Sequence, residues 1–305
     1  MKRKIIIAGG SGALGASLID AWKNHDVEIV VLTRKKVLAQ EGRVRYITWD
    51  ARSLGSWQQA IEGSDVVINL VGKSVNCRYT EANKREIIRS RVDATHVLGT
   101  AIAQATAPPS LWINAGSVAI FGNTRASIKT EASTDFGEGF SSGVCKRWES
   151  VFWDADTPFT RQVVLRMGMV LQRKGGVLKP FVKLVRFGLG GSIGTGGQYI
   201  SWLHEADFVR VVEWVIENPA VQGILHACSP FPVSNHVFMR TIRQELRMPF
   251  GLPNPAWSTK IGAWLIGTES ELVLSGRRVV SRLLEKEQFE FKFPEIVTAF
   301  RNLAL

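Results

Sequence analysis

The sequence predicts an α/β protein in which a doubly wound parallel sheet is followed by a smaller C-terminal α+β lobe. Residues 5–8 form a continuous apolar run, as expected of a strand buried on both faces, and a turn with four glycines, residues 9–15, follows directly. An amphipathic helix over 14–24 and a second strand at 27–32 complete a strand–helix–strand unit. Short apolar segments then alternate with helical ones, which is typical of a parallel sheet with helices on both faces.

Seven strands are expected in this alternating part of the chain. They lie at residues 5–8, 28–33, 44–49, 66–70, 111–115, 162–167 and 224–227. A long helix is predicted over 80–103, because a threonine at its start can act as the N-cap. From residue 232 onward the pattern changes to helices interrupted by prolines, and alternating phenylalanines at 289–293 predict a short strand in the second lobe.

Composition allows a large hydrophobic core and excludes several classes of protein. The chain has 305 residues, 45% of them hydrophobic, and a formal net charge of +11. Its cysteines, Cys77, Cys145 and Cys228, lie far apart without the spacing of a zinc site or a disulfide framework. No apolar run approaches the roughly twenty residues of a membrane span. The few, separate cysteines suggest a reducing cytosol, and the scattered cations form no nucleic-acid stripe. We therefore expect a cytoplasmic monomer or homodimer with a small-molecule substrate and with neither nucleic acid nor membrane as partner.

The glycine-rich turn is the predicted dinucleotide site. Glycine lets the chain reverse tightly, lets backbone amides approach a pyrophosphate, and lets the next helix pack closely on the strand. The N-terminus of that helix directs its positive end at the phosphates. The residues assigned to this site are Gly9, Gly10, Ser11, Gly12, Ala13, Leu14 and Gly15.

The end of the second strand indicates which dinucleotide is bound. NAD-binding proteins hold the ribose 2′-hydroxyl with a carboxylate at this position, but here Thr33 is followed by Arg34. Thr33 can donate a hydrogen bond and Arg34 can bind a 2′-phosphate, which favours NADP(H) over NAD(H). A solvated loop of cations is the alternative. Asp50, after the third strand, either accepts a bond from the adenine amino group or caps the helix that contains Trp57.

Further residues follow later strands at the sheet edge where the cofactor is expected. The segment after the fourth strand passes close to the cofactor, and its residues are Asn69, Leu70, Val71 and Gly72. Ser117 follows the fifth strand, where its hydroxyl would meet a substrate carbonyl or alcohol. Arg166, near the end of the sixth strand, is also assigned to the cofactor.

Two later features have more than one interpretation. His204 and Asp207 lie one helical turn apart at a helix start, where a structural histidine with an N-terminal acid is slightly favoured over a functional pair. The segment 188–197 contains six glycines in ten residues, which predicts a mobile lid over the substrate.

Together these residues resemble the extended short-chain dehydrogenase/reductases, and more closely an atypical branch called epimerase family proteins. The matching positions are Gly9, Gly12, Gly15, 31–34, 69–72, Trp148, Glu149, Gly175, Gly176, 187–191, 201–204, Asp207 and 232–235. The resemblance implies an NADP-binding Rossmann domain at 1–230, with a glycine-rich substrate loop at about 172–200, and a substrate-capping lobe at 231–305. It also implies an oxidoreductase or epimerase that acts on a small carbonyl or alcohol.

The expected catalytic pair departs from this family. Its extended members use a Tyr-x-x-x-Lys pair on the helix after the fifth strand, in which the lysine lowers the pKa of the tyrosine. Here Ser141 stands at the tyrosine position and Cys145 at the lysine position. Serine is too weak an acid and cysteine carries no positive charge, so neither does the same work at neutral pH.

Another group must therefore move the proton if a substrate is turned over. Tyr46 is assigned to the core, whereas Tyr79 and Tyr199 lie near the expected cleft, where packing against the C-terminal lobe is favoured over catalysis. Ser117 is a third candidate. The alternative function is a regulator that binds NADPH without turnover and acts through a protein partner.

Overall fold

The computed structural model describes residues 3–35, 42–124, 127–173, 175–257, 269 and 271–305. Its strands are β1 (Arg3–Ala8), β2 (Val27–Thr33), β3 (Val44–Thr48), β4 (Val66–Asn69), β5 (Leu111–Ser117), β6 (Ile128–Lys129), β7 (Arg161–Met167), β8 (Met169–Leu171), β9 (Tyr199–Ile200), β10 (Trp202–His204), β11 (Gly223–Ala227), β12 (Val233–Ser234) and β13 (Arg278–Val279).

The α-helices among these residues are α1 (Ala13–Trp22), α2 (Glu81–Gln104), α3 (Phe140–Trp153), α4 (Leu178–Arg186), α5 (Glu205–Glu217), α6 (Asn235–Glu245), α7 (Glu271–Leu274), α8 (Arg282–Lys286) and α9 (Ile296–Leu303). Short 3-10 helices lie at Ser56–Ala60 and Val118–Phe121.

A seven-stranded parallel sheet forms the centre of the molecule. Its strand order is β11-β7-β5-β4-β1-β2-β3. The order reverses between β1 and β4, and in open α/β sheets the crevice outside the strand ends at this switch point is where ligands bind. The seven strands predicted from the sequence are the seven strands of this sheet, and the α/β doubly wound Rossmann architecture is confirmed.

The two faces of the sheet are covered by different helices. Successive side chains of a strand point to opposite faces, so Ile5 and Ile7 join one core cluster while Ile6 joins the other. The first cluster includes Phe208 of α5, and the second includes Leu98 of α2. Burial on both faces explains why the central strands read as continuous apolar runs.

Helix α2 matches its prediction within one residue at each end. Thr80 is the N-cap, and its hydroxyl accepts a hydrogen bond from the Asn83 amide at 3.2 Å. Residues of the helix such as Ala94 and Ile102 are buried against the sheet. In the part of the chain that the structure describes, no helix is both long and apolar enough to cross a bilayer.

A second hydrophobic core lies outside the sheet. Phe238 of α6 packs edge-on against Phe181 of α4 at 5.3 Å and against Phe300 of α9 at 5.2 Å between ring centroids. This core contains residues from both sides of position 230, including Leu171 and Trp202. The division into domains at 1–230 and 231–305 stays a prediction.

The strand expected at 289–293 is not formed. The fully buried carboxylate of Asp207 in α5 accepts hydrogen bonds from the amides of Lys292 at 2.6 Å and Phe293 at 2.9 Å. The ring of Phe289 meets that of Phe291 edge-on at 4.8 Å, and it also packs edge-on against Trp214. A carboxylate therefore takes the amide hydrogens that a neighbouring strand would have accepted.

The glycine-rich segment 188–197 packs against the backbone at 251–254. The Gly191 amide donates to the Leu252 carbonyl, and the Leu252 amide donates to the Gly188 carbonyl. A Cβ on Gly191 would lie 2.6 Å from the Leu252 backbone. Gly194 adopts φ = 61°. The glycines thus serve close backbone packing and left-handed turns, and the lid over the substrate stays a prediction.

Candidate cofactor and substrate site

The turn between β1 and α1 has the geometry of a phosphate cradle. Gly9 adopts φ = 80°, and a Cβ there would lie 3.0 Å from the Leu70 backbone carbonyl carbon. A Cβ on Gly15 would lie 2.3 Å from the Gly10 Cα. Gly12 is the N-cap of α1, and no side chain caps the first turn of this helix. The helix therefore presents backbone amides to an anion at the carboxyl edge of the sheet.

Thr33 and Arg34 have different roles at the end of β2. The buried Thr33 hydroxyl donates to the Ser11 Oγ at 3.2 Å and accepts from the Lys35 amide at 3.2 Å. It thereby ties the end of β2 to the glycine turn. Arg34 is exposed beside this contact, so its guanidinium is accessible to a phosphate on the adenosine ribose.

Asp50 caps a turn. Its Oδ1 accepts hydrogen bonds from the amides of Arg52 at 2.8 Å and Ser53 at 2.9 Å, and the Ser53 hydroxyl donates to its Oδ2. These bonds lower the pKa of Asp50 to about 2. The capped turn precedes the 3-10 helix that contains Trp57. The N-cap of that helix is Gly55, without a side-chain cap, so the predicted capping of the helix by Asp50 is wrong, and a contact with adenine stays a prediction.

An amide network holds segment 69–72 against the glycine turn. The Asn69 Nδ2 donates to the Asn114 Oδ1 at 2.7 Å and to the Thr95 Oγ1 at 3.0 Å, while the Asn69 Oδ1 accepts from the Val71 amide at 3.1 Å. A Cβ on Gly72 would lie 3.0 Å from the Arg91 Cζ. The segment is thus fixed between the predicted cofactor site and a guanidinium group.

Arg166 belongs to the core, which corrects its assignment to the cofactor. Its Nε and Nη2 donate to the two carboxylate oxygens of Glu149 at 2.9 and 2.7 Å. The side chain is 1% exposed, and its guanidinium lies over the rings of Phe121 and Phe136. Glu149, one of the positions that carried the resemblance, is the partner that explains this buried cation.

Ser117 lies at the expected edge of the sheet. Its Oγ accepts a hydrogen bond from the Ala119 amide at 3.2 Å and so caps the 3-10 helix that follows β5. The side chain is half-buried. The hydroxyl hydrogen stays available to donate to a substrate.

Ser141 and Cys145 lie on α3, four residues apart. Cys145 is buried, and burial raises the pKa of its thiol to about 12; Glu149 acts in the same direction. Arg91, Arg277 and Arg166 lower this pKa by less than burial raises it. Three cations thus act on this thiol, which is nevertheless protonated at neutral pH.

Tyr79 reaches Ser141 from the segment after β4, which differs from the packing role favoured by the sequence. Its ring meets that of Phe140, the first residue of α3, edge-on at 4.7 Å. Its hydroxyl is buried and has the Ser141 hydroxyl as a hydrogen-bonding neighbour, and neither oxygen has a further partner among the described residues. Burial raises the pKa of Tyr79. A phenol therefore lies beside the position where the family places its catalytic tyrosine.

Two arginines near this phenol were missed by the sequence analysis. Arg91 of α2 lies over the Trp148 ring of α3 at 5.1 Å, and its Nη1 donates to the Lys73 and Ile87 carbonyls at 3.0 Å each. Arg277 precedes β13, and its amide donates to the Tyr199 carbonyl at 2.7 Å. No local pattern marks either residue, since they come from elements far apart in sequence.

Tyr199 and His204 have structural contacts. The Tyr199 ring lies under the Arg278 guanidinium at 4.5 Å. The His204 Nδ1 accepts from the Ala206 amide at 3.0 Å, so His204 caps α5, and burial lowers its pKa to about 4. The structural interpretation of His204 and Asp207 agrees with these bonds.

A wide groove of about 1030 Å³ lies at the opposite edge of the sheet. It is lined by the first residues of several strands, including Arg3, Val66, Leu111 and Arg161. Parallel sheets bind ligands at the carboxyl ends of their strands. We therefore assign the functional site to the glycine turn and the end of α3.

The reactivity of the three cysteine thiols tests the described burial of Cys145. At pH 8 only about one in 10⁴ of the Cys145 thiols is ionised, because the pKa of about 12 lies four units higher. Cys228 is also buried with a pKa of about 12, whereas Cys77 is partly exposed. We expect iodoacetamide to modify Cys77 alone in the native protein and all three thiols in denaturant, as measured by peptide mass spectrometry. Native labelling of Cys145 at the rate of Cys77 would contradict the described burial.

Comparison with known proteins supports a dinucleotide-binding fold. Residues 5–146 match the NAD dependent epimerase/dehydratase family, and residues 255–303 match a domain of unknown function, DUF1731. An epimerase family protein of Staphylococcus saprophyticus is 31% identical over 98% of each chain. The mouse epimerase family protein SDR39U1 is 31% identical over 98% of this chain and 99% of its own. The crystal structure of human SDR39U1 with NADPH superposes with a TM-score of 0.87, at 27% identity and 99% coverage of both chains.

Proposed function

This chain belongs to the NAD dependent epimerase/dehydratase family, in its extended short-chain dehydrogenase/reductase branch, and on that premise we propose that it binds NADP(H) and reduces a small carbonyl substrate or oxidises the corresponding alcohol. The observation that carries the proposal is the uncapped glycine turn beside Thr33 and Arg34, with no carboxylate at the end of β2. The NADPH bound to the human relative supports the choice of cofactor.

The residues of the turn fit such a dinucleotide. The amides at the start of α1 would receive the pyrophosphate, because their positive end is open and the first turn of α1 contains no acidic side chain. Arg34 would bind the 2′-phosphate, with Thr33 and Ser11 holding the strand end in position. When bound, the nicotinamide supplies or accepts a hydride.

Replacing Arg34 with alanine should weaken NADPH binding roughly tenfold to hundredfold, since a charge-assisted hydrogen bond contributes about 1.5–3 kcal/mol. NADH binding should stay almost unchanged, because NADH has no 2′-phosphate. Fluorescence titration of both cofactors measures the two dissociation constants. Arg301→Ala, on the exposed side of α9, is the matched control and should leave both unchanged. Equal losses for NADPH and NADH in Arg34→Ala would remove Arg34 from the phosphate site.

We infer that Tyr79 moves the substrate proton, because its hydroxyl lies beside Ser141 at the tyrosine position of the family. The phenol carries its proton at neutral pH and can act as a general acid, although burial raises its pKa and makes it a weaker acid than an exposed tyrosine. This favours reduction of a carbonyl, in which the developing oxyanion takes the Tyr79 proton. Ser141 next to it can donate a second hydrogen bond to the same oxygen.

Three variants separate the candidate acids. We expect Tyr79→Phe to lower kcat/KM by about 10²–10⁴-fold, the usual contribution of general acid catalysis, with the ring packing on Phe140 retained. Ser117→Ala should lose less, and Cys145→Ala should keep NADPH binding and most of the turnover. Steady-state NADPH oxidation with the best carbonyl of a panel gives the three values. A loss beyond about a hundredfold for Cys145→Ala with binding intact would instead make the thiol an acid, base or nucleophile.

The second candidate function is an NADPH-sensing regulator without turnover. It is favoured by the absence of the Tyr-x-x-x-Lys pair. Ser141 and Cys145 occupy the two positions, and neither side chain ionises near neutral pH. Tight NADPH binding with no oxidation over the whole carbonyl panel would support this candidate over the enzyme.

A further inference from the structure

Three arginines lie close to Cys145, and they differ in how their charge is compensated. Arg166 is paired with both oxygens of Glu149. Among the ion pairs of the described residues, neither Arg91 nor Arg277 has a carboxylate partner. Removing a guanidinium from water is costly unless an anion or several acceptors replace the lost solvation. The same neighbourhood therefore contains one compensated cation and two that lack a counterion.

Arg277 is the less satisfied of the two. Arg91 donates to the Lys73 and Ile87 carbonyls, whereas the Arg277 Nε is buried without any acceptor. Backbone contacts fix the position of Arg277, since its amide donates to Tyr199 and its carbonyl accepts from the Ser201 Oγ at 2.9 Å. The guanidinium is thus held in place before any ligand binds.

A pair of buried hydroxyls lies in the same neighbourhood. Those of Tyr79 and Ser141 adjoin each other and have no other partner among the described residues. Buried polar groups in proteins are nearly always paired, so the unpaired Arg277 Nε near two hydroxyls with unused hydrogen-bonding capacity indicates a place for a ligand. Hydroxyls that can donate suit a carbonyl oxygen, and a guanidinium suits a carboxylate.

The charges around Arg277 limit which anion fits. Glu271 of α7 is the acid that acts on both Arg277 and Tyr79, and Glu269 accepts a hydrogen bond from the Tyr79 amide at 2.6 Å. Glu271 partly offsets the charge of Arg277, so a singly charged group is favoured over a phosphate dianion. The flat guanidinium fork also matches the two oxygens of a carboxylate.

We propose that the substrate is a short oxo acid, whose carboxylate is bound by Arg277 with Arg91 beside it and whose carbonyl oxygen accepts hydrogen bonds from Tyr79 and Ser141. This inference rests on the proposed NADPH-dependent reduction. In that reaction the carbonyl carbon gains a hydride from NADPH, which is released as NADP⁺. The carbonyl oxygen gains the proton of Tyr79, and the Tyr79 oxygen regains a proton from water. The product is a hydroxy acid.

Binding of paired probes tests the carboxylate site without requiring turnover. The probes are 2-oxobutanoate, its neutral methyl ester and inorganic phosphate, each titrated by calorimetry with and without NADPH. We expect the wild-type protein to bind the oxo acid at least tenfold more tightly than either the ester or phosphate. Arg277→Gln should remove this preference while leaving NADPH binding unchanged, and Arg282→Gln, exposed on α8, is the matched control that should preserve it.

The ligand-free melting temperature separates a ligand-binding arginine from a structural one. Arg277→Gln removes an uncompensated cation, so we expect its Tm to equal or exceed that of the wild type. A large fall in Tm would make Arg277 structural and overturn the inference, as would equal binding of acid and ester by the wild type. Preferential phosphate binding would overturn the choice of carboxylate. Failure of NADPH to bind, with the oxo acid preference intact, would count against the proposed function and not against this site.

Discussion

Replacing Arg166 with methionine should destabilise the folded protein by about 3–5 kcal/mol, the usual cost of removing one partner of a buried ion pair. Both Arg166 and Glu149 are buried, and the variant leaves the Glu149 carboxylate without the two hydrogen bonds that compensate its charge. Methionine keeps much of the volume beside Phe121 and Phe136, so the loss reports the charge rather than a cavity. Urea unfolding at pH 7 measures the free energy change.

Two further variants make this result interpretable. The double variant Arg166→Met/Glu149→Leu should recover most of the lost stability, because no unpaired charge is left in the core. Arg282→Met removes an exposed pair with Glu285 and should change stability by no more than about 1 kcal/mol. A cost below about 1 kcal/mol for Arg166→Met would show that Glu149 is solvated or protonated in the native protein.

Replacing Gly15 with alanine should cost about 3 kcal/mol and weaken NADPH binding by roughly tenfold or more, since overpacking a tight contact typically costs 1–3 kcal/mol or more. The new Cβ would lie 2.3 Å from the Gly10 Cα and 2.6 Å from its carbonyl oxygen. Backbone atoms cannot rotate away as a flexible side chain does. Helix α1 would therefore move off the turn, and its amides would leave the phosphate position.

Gly143 of α3 provides the matched control. A Cβ at this position meets nothing within 4 Å, and the residue lies inside a helix. Gly143→Ala should therefore stabilise the protein by about 0.5–1 kcal/mol, because alanine loses less backbone entropy than glycine in a helix. Chemical unfolding should show stability changes of opposite sign for the two variants. NADPH titration of both variants measures the effect on cofactor binding. Comparable behaviour of Gly15→Ala and Gly143→Ala would remove the close-packing argument.

Much of the fold and of the cofactor site follows from local sequence patterns. Strands buried on both faces require continuous apolar runs. The turn requires glycines because its own residues pack too closely to leave room for side chains. Thr33 and Arg34 could be assigned because their position is set by one strand–helix–strand unit. The loss of the Tyr-x-x-x-Lys pair was also readable, since both positions lie on one helix.

Local patterns misled where a residue type has more than one use. The glycines of 188–197 predict a lid, and the structure adds a use that the pattern does not show, which is close contact with the backbone at 251–254. The phenylalanines at 289–293 alternate as in a strand, but Asp207 holds the backbone instead. Arg166 lies near the end of a strand at the cofactor edge, but its guanidinium pairs with the Glu149 carboxylate. In each case the deciding partner lies on another element of the fold.

The sequence by itself determined the sheet, the dinucleotide turn and the absence of the usual catalytic pair. Only the tertiary structure decided which side chains lie around the positions of that pair. Tyr79 comes from the segment after β4, Arg91 from α2, Ser141 from α3 and Arg277 from the segment before β13. Periodicity specifies which face of an element is buried, but side chains from separate elements meet only through the packing of the whole chain. Their proximity is therefore visible in three dimensions alone.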